Sequence, residues 1–565
     1  MIDDLWYKNS VIYCLSVGTY MDANGDGVGD FKGLSRRLDY LHGLGITTIW
    51  LMPFQPSPGK DDGYDISDYY GVDPRYGTLG DFVEFTHGCK QRGIRVIIDL
   101  VVNHTSNEHA WFKSARSKDS RYRDWYVWAD RRPANAGKGM VFPGVQRSTW
   151  THDKEAGAWY FHRFYDFQPD LNTSNPLVRA EILKIMGFWI QLGVSGFRMD
   201  AVPFVIATKG AKVKKPVEQY DMLRAFREFL QWREGDAIIL AEANVLPETD
   251  MEYFGRDGDR AHMMFNFQVN QHLFYALASA DVRPLAKALA ATKPRPATAQ
   301  WGQFLRNHDE LDLGRLTKPQ RNAVFEAFGP DKDMQLYDRG IRRRLAPMLA
   351  GDRRRLELAY SLMFTLPGTP VIRYGDELAM GDDLGLPERN CARTPMQWSS
   401  ERHGGFTTGD EPCLPVIDKG PYGYEHVNAA KQRRDPNSML NWTERIIRMR
   451  KEVPEVGWGD FEVITTRDPA ILIIRYDWRN NSVLFVHNLD EQPREISFAA
   501  GLPGDVGKLL VNLLSEDHSH ANEGGRHTLM MEGYGYRWYR VGGLDYLLKR
   551  SDIDTKTTGK VSHPT

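Results

Sequence analysis

Eight polar side chains stand where short β-branched runs end. Asp99 lies late in the run 95–102 and Asn103 and His104 follow it, Arg198 and Asp200 close 194–200, Glu242 closes 238–242, and His308 closes 301–308 with Asp309 next to it. Several carboxylates, two imidazoles and one guanidinium in one pocket suit cleavage of a glycosidic bond. One carboxylate attacks the anomeric carbon and a second protonates the leaving oxygen; a separation of about 5–5.5 Å between them gives retention. Roles follow from neighbours. Asp200 lies two residues after Arg198, so on a strand both side chains face one side, and the guanidinium favours the ionised form a nucleophile needs. Glu242 ends the apolar run 237–241 among anionic neighbours, which favours the protonated form of a general acid. Asp309 is a third carboxylate, placed to bind sugar hydroxyls and keep Glu242 protonated. No serine nucleophile elbow, no GxGxxG after a strand and no HExxH accompanies them. Taken singly, Asp99, His104 and His308 read equally well as polar strand ends that tie loops, Asp99 most of all.

Positioning such a set requires many strands ending at one face. Runs at 11–17, 47–52, 95–102, 194–200, 238–242, 263–267, 301–308 and 370–376 alternate with amphipathic segments at 31–44, 79–92, 176–192, 216–232 and 268–291. The alternation predicts an α/β fold, a (β/α)₈ TIM barrel with its site at the carboxyl ends of the strands. Such a barrel takes about 250 residues, so this chain of 565 residues carries additions. Residues 105–168 read as an inserted excursion domain after strand 3, which splits the barrel into 1–104 and 169–455. Short strands at 461–466, 470–476, 482–488, 494–498 and 508–514 predict a C-terminal antiparallel β-sandwich over 456–550, and the polar residues 551–565 a flexible tail.

A formal net charge of −2 gives no field towards nucleic acid or an anionic membrane, and no apolar stretch reaches the length of a span. The first nine residues carry Asp3 and Asp4 and no apolar run, so they do not read as a leader. Cys14, Cys89, Cys391 and Cys413 have no metal-ligand spacing and predict reduced thiols in a cytoplasmic protein. A homo-oligomer stays open. Trp125, Tyr126 and Trp128 are expected in the excursion-domain core rather than as sugar platforms. The arginines at 342–344 and 353–355 are expected as solvated helix ends making surface pairs.

The segments DLVVNH (99–104), GFRMDAVP (196–203), LAEAN (240–244) and LRNHDE (305–310) resemble four successive signature regions of the α-amylase superfamily, glycoside hydrolase family 13, in the family's order. The resemblance implies the barrel, the excursion domain and the sandwich, with Asp200 as nucleophile, Glu242 as acid/base and Asp309 as transition-state stabiliser. QPDLN (168–172) and DDGYDISDYY (61–70) look like the branch acting on small substrates. They imply that Asp61, Tyr64, His104, Phe142, Gln168, Arg198, His308 and Arg389 line the pocket for the glucose that is cut. WLMPFQPSP (50–58), FLRNHDELDL (304–313), GIRRRLAPML (340–349) and RTPMQW (393–398) look most like the trehalose synthases of the family, which interconvert maltose and trehalose. Departures at Val245-Leu246, 207–216 and 265–274 touch the acceptor side. Isomerisation of a small α-glucoside is therefore the leading reading and α-glucosidase or transglucosidase the alternative. A non-catalytic sugar-binding relative is the remote one, since it predicts losses among three acids that are all present.

Asp22, Asn24, Asp26 and Asp30 have the alternating oxygens of a calcium loop, with Gly25 and Gly27 for the turn and the Val28 carbonyl to complete it. A metal-free polar turn is the bland alternative. A structural calcium, and no cofactor for the chemistry, is the expectation. The resemblance also implies a second calcium at Asn103 and Asp170, but the family's glutamate there is Ala207, so that site is not expected.

Overall fold

Strands β1 (Ile12–Leu15), β2 (Thr48–Leu51), β3 (Arg95–Leu100), β4 (Gly196–Met199), β5 (Ile238–Ala241), β6 (Met263–Phe265), β7 (Gln300–Phe304) and β8 (Thr369–Arg373) are buried at every residue but Arg95. Burial on both faces is what a parallel sheet wrapped by helices imposes. In the computed structural model, which describes residues 3–213, 215–502 and 507–542, each strand pairs in parallel with its sequence neighbours and β8 pairs with β1, closing the barrel. Register leaves little freedom at Gly196, which has φ +151°; a Cβ there would stand 2.5 Å from the Ile238 carbonyl oxygen across the β4–β5 pair.

The eight predicted runs are these eight strands, shortened at their ends. Run seven shows the largest difference. Strand β7 stops at Phe304, and His308 and Asp309 sit on the loop beyond it. That loop is held by its own arginine: Arg306 donates from Nε to the Arg343 carbonyl and from Nη2 to that of Asp309. The segment predicted helical over 268–291 is two helices, Phe267–Ser279 and Arg283–Ala291, parted where Ala280 takes φ +52° and Pro284 opens the second.

The excursion after β3 holds the short helix Ala110–Ala115 and a three-stranded sheet, with Val127, Ala136, Trp150 and Phe161 as a small core. Trp125 and Tyr126 are buried, and Trp128 stacks on Phe112. A second excursion, not foreseen from the sequence, follows β7. Its strands Leu311–Asp312, Gln335–Leu336 and Gly340–Ile341 form a sheet beside the helix Lys318–Phe328. Two-residue strands are too short to show alternation, which is why the pattern hid them.

The C-terminal unit consists of β9 (Asp460–Ile464), β10 (Ile471–Trp478), β11 (Asn481–Asn488), β12 (Arg494–Ala499), β13 (Leu509–Asn512), β14 (Ser519–His520), β15 (Arg526–Met531) and β16 (Tyr536–Val541). A six-stranded sheet, β9-β10-β11-β16-β13-β14, faces the pair β12-β15. Ile473, Leu484, Val486 and Tyr539 from the first sheet share a core with Ile496, Phe498 and Met531 from the second. The last three strands went unread in a stretch dense with Gly, His and charge. The expected tail at 551–565 lies outside the described residues.

Candidate active site

Strand β4 delivers Arg198 to the floor of the barrel mouth, 1% exposed. Its Nη1 donates to Asp200 Oδ1 at 2.6 Å and to Asp99 Oδ1 at 2.5 Å, and its Nη2 lies 2.9 Å from Glu242 Oε2. One guanidinium thus gathers carboxylates from three neighbouring strand ends, which keeps Asp200 and Glu242 within reach of a single sugar atom. Burial lifts Glu242 to about 7 against the pull of Arg198, with Asp200 and Asp309 adding to the rise. Burial lifts Asp200 to about 6, also against Arg198 and with help from Asp99 and Asp309. At neutral pH the acid with the higher value keeps more of its proton, and the other is mostly anionic. Ala201, immediately after Asp200, takes φ +47°, unusual for a residue with a Cβ, and its N–H donates to Glu242 Oε2 at 2.9 Å. The turn that follows one acid orients the other.

One wall of the pocket is a mesh of charge-assisted bonds. Arg389 contacts Asp61 Oδ1 at 2.8 Å and Asp309 Oδ1 at 2.7 Å, and Gln168 Nε2 donates to Asp61 Oδ2 at 2.9 Å. His308 Nε2 lies 3.1 Å from Asp309 Oδ2 and 2.8 Å from the Tyr64 hydroxyl, over which its ring stacks. Burial alone would raise Asp309, but His308, Arg389 and Arg393 outweigh it and hold the carboxyl well below its usual range. Burial holds His308 down at about 3, against the pull of Asp309. His104 is also pushed below its usual range by burial, and its Nε2 meets the Tyr64 carbonyl at 3.0 Å. Asp61, Tyr64, His104, Phe142, Asp200, Glu242, His308, Asp309 and Arg389 all line one pocket of about 570 Å³, within the roughly 300–1,000 Å³ usual for small-ligand sites. Gln168 and Arg198 do not line it; they stand behind Asp61 and beneath the acid pair. Asp99 is also behind, tied to Arg198, to Trp50 Nε1 at 2.8 Å and to the Tyr64 hydroxyl at 3.4 Å.

The opposite wall was not legible. Its lining is Asn244 and Phe267 at strand ends and Asp312, Arg315 and Arg339 from the second excursion. Asn244 Nδ2 donates to Asp312 Oδ2 at 2.8 Å, and Arg315 Nε donates to Asn244 Oδ1 at 3.0 Å. Above, the roof is pinned where three segments meet. Tyr165 and Tyr337 both donate to Glu388 Oε2, at 2.9 and 3.2 Å, and Phe142 packs on both rings with centroids 4.8 Å apart. Tyr337, Asp338 and Glu388 have φ of +55°, +59° and +44°, conformations that persist only where surrounding contacts enforce them.

Arginines 342–344 correct an expectation. They follow a strand, not a helix, and are not solvated. Arg342 donates to the carbonyls of Leu384, Leu386 and Glu388, Arg343 pairs with Asp382, and buried Arg344 donates to the Tyr374 carbonyl. The run clamps the loop that carries Glu388 and Arg389, because irregular backbone there offers carbonyls that need donors. Arg353 and Arg354 do make local pairs, with Glu357 and Asp352.

A model of the α-amylase catalytic domain matches residues 14–326 and 341–459. The chain belongs to the α-amylase family. A sucrose hydrolase-like C-terminal domain model matches residues 481–540. The chain is 42% identical to a trehalose synthase of Thermus thermophilus over 97% of its own length and 56% of that protein's. It therefore spans little more than half of that relative. It is 38% identical to a trehalose synthase of Pimelobacter sp., covering 95% of this chain and 96% of the other. An oligo-1,6-glucosidase of Parageobacillus thermoglucosidasius is 30% identical over 87% of this chain and 92% of its own. Among solved structures, an α-amylase from H. orenii superposes with a TM-score of 0.76 at 26% identity, covering 94% and 99% of the two chains. The trehalulose synthase MutB superposes at 0.75 and 27%, covering 95% and 100%.

The altered segment 207–216 of this α-amylase-family chain has a definite place. Lys209 Nζ stands 3.2 Å from the Asn103 carbonyl, 2.7 Å from Asn103 Oδ1, 3.1 Å from the Leu171 carbonyl and 3.0 Å from Asp170 Oδ2. An ammonium group occupies the oxygens at which a second calcium was not expected. Burial pulls this lysine down from its usual range, with Asp170 opposing. The signal was in the sequence, as a lysine two residues after the missing glutamate.

Proposed function

We propose that this protein isomerises a small α-glucoside, maltose to trehalose, by double displacement. Asp200 attacks the anomeric carbon as the glycosidic C–O bond breaks, and Glu242 gives its proton to the departing oxygen. The released glucose turns and attacks through its anomeric hydroxyl. That hydroxyl's proton passes to Glu242, and the bond between carbon and Asp200 breaks. The Asp61–Arg389–Asp309 mesh holds the glucosyl unit, and ionised Asp309 favours positive charge developing on the ring.

The observation that carries this reading is the roof. Keeping water from the intermediate while glucose reorients calls for a sheltered acceptor side, and Phe142, which lines the pocket, is held by Tyr165 and Tyr337, both bound to Glu388. Similarity to the trehalose synthase of Pimelobacter sp. over nearly the whole of both chains supports it. Incubation with maltose, then with trehalose, tests it: each disaccharide should yield the other with little free glucose, and labelled glucose added to the mixture should stay out of the product. Glucose as the main product from the first time point would promote the α-glucosidase reading instead.

We also propose that the 22–30 loop holds a structural calcium. Asp22 accepts from the N–H groups of Asn24, Gly25 and Gly27, which sets the sharp turn, and Asp26 accepts from that of Val28. Among the described residues no three acidic, histidine or cysteine side chains converge to hold a metal alone, so an ion here leans on the Asn24 amide and the Val28 carbonyl as well as on Asp22, Asp26 and Asp30. A chelator should lower the melting temperature more than the initial rate; an unchanged melting temperature would refute this. No helix among the described residues is long and apolar enough to cross a membrane. The four free cysteines support a cytoplasmic setting.

A further inference from the structure

Two arginines outside the charged mesh reach the same pocket as the acid pair. Arg315 spends its Nε and Nη2 on Asn244, the residue two beyond Glu242 on the same strand end, and its backbone N–H on Gln271 Oε1 at 2.7 Å. Arg339 reaches Asp312 Oδ1 from Nε at 3.4 Å and the Val141 carbonyl from Nη2 at 3.1 Å. Asp312 in turn accepts from Asn244, so the two guanidinium groups are joined through one amide and one carboxylate. Each guanidinium carries five N–H donors, and these contacts leave donors over on both. Both side chains line the pocket, Arg315 beside Asn244 and Arg339 beside Asp312 and Val141.

Arg339 has a further distinction. It lies between the two stretches matched by the general catalytic-domain model, 14–326 and 341–459. It therefore stands in a stretch outside the general catalytic-domain pattern, where a residue is free to serve this chain's own acceptor. Its backbone is fixed from both sides: Tyr337 is locked on Glu388 and Phe142, and Arg342 on the carbonyls of the 384–388 loop. A guanidinium held this firmly, with donors to spare, is built to grip hydroxyls.

We propose that Arg339, together with Arg315, is the specificity-determining pair of the acceptor side: the pair holds the sugar released when Glu242 protonates the glycosidic oxygen, so that this sugar, rather than water, resolves the ester on Asp200. This rests on the double-displacement chemistry above and adds the residues that choose the acceptor.

The test uses α-glucosyl fluoride as donor with glucose as added acceptor. Fluoride leaves the acceptor space empty, so the glucose concentration giving half-maximal disaccharide formation reports that space directly. Arg339→Ala and Arg315→Ala should each raise it at least tenfold and lower the ratio of disaccharide to hydrolysed glucose in step. Arg339→Lys, which keeps the charge without the fork, should fall between. Both readouts are ratios over active molecules, so partial misfolding does not move them. A half-saturating concentration within twofold of the unsubstituted chain in both alanine variants would overturn the proposal. The isomerase reading is judged separately, by whether the unsubstituted chain makes trehalose from maltose; its failure there leaves the acceptor measurement intact as a test of the two arginines.

Discussion

The two walls of the pocket are built on different principles. The glucosyl wall is made of barrel strand ends and the loops just beyond them, joined by paired charges: Arg198 under three carboxylates, Arg389 between Asp61 and Asp309. The acceptor wall is made largely of an excursion; Arg315 leans on the Asn244 amide and carbonyl, Arg339 on Asp312 and the Val141 carbonyl, both with donors left over. The difference teaches where change is tolerated. Removing one partner from a buried charge mesh leaves another unpaired, at a cost of about 3–5 kcal/mol; Arg315, resting on an amide and a carbonyl, is less coupled to the fold.

The largest effect separates chemistry from both walls. Asp200→Asn should cut turnover by on the order of 10⁴-fold or more, because only the attacking oxygen is lost, while sugar binding seen by calorimetry persists. Activity near that of the unsubstituted chain would remove Asp200 from its role. Glu242→Gln should lose about 10²–10⁴-fold on maltose, yet still form the ester from α-glucosyl fluoride, and azide should intercept it as glucosyl azide. Next comes the comparison itself. Arg389→Ala leaves Asp61 and Asp309 without their shared cation, so it should lose about 3–5 kcal/mol of stability together with activity on every donor. If Arg389→Ala unfolds at the same temperature as Arg315→Ala, the contrast between the walls is wrong.

The same contrast explains what could be read in advance. Strand ends in a barrel carry short, ordered motifs, so Asp99, Arg198, Asp200, Glu242, His308 and Asp309 stood out together with the fold that brings them to one mouth. Phe142 and Arg389 were reached only through resemblance, since nothing periodic places a loop residue. Arg315, Arg339 and Tyr337 gave no local signal at all. Their positions depend on two-residue strands and on left-handed turns, set by tertiary contacts and not by propensity. Arginines 342–344 were misread for a related reason: a charge run looks solvated until the carbonyls it serves are known.

Lys209 tests the wall from outside. Its ammonium ties Asn103, next to His104, to Asp170 and Leu171 of the excursion boundary. Lys209→Ala leaves Asp170 buried beside a gap and should cost about 3 kcal/mol, read as a fall in melting temperature. Because hard oxygens remain, added calcium should recover part of that fall, whereas the unsubstituted chain should show no such gain at this site. A variant as stable as the parent without calcium would show that the cage needs no cation.

The smallest effect concerns pH, and it divides the walls once more. Formation of the ester needs Asp200 ionised and Glu242 protonated. Asp200 is raised by burial to about 6, so activity falls as pH drops below that value; Glu242 is raised by burial to about 7, so activity falls as pH climbs above it. The profile of kcat/KM should therefore be a narrow bell between about 6 and 7, its limbs belonging to the coupled pair. Product choice should not follow that bell, because neither acid of the pair hydrogen-bonds Arg315 or Arg339. One group can perturb it. Asp250, raised to about 7 by burial and by Glu248 with Arg315 opposing, gains its charge near neutrality and then draws on Arg315. The ratio of isomer to free glucose should shift across pH 7 by only about twofold, the scale of about 0.5 kcal/mol expected from one partly screened pair. Asp250→Asn should flatten that shift while leaving the bell in place. A product ratio that tracks the bell itself would mean the acceptor wall titrates with the acid pair and is not the separate device described here.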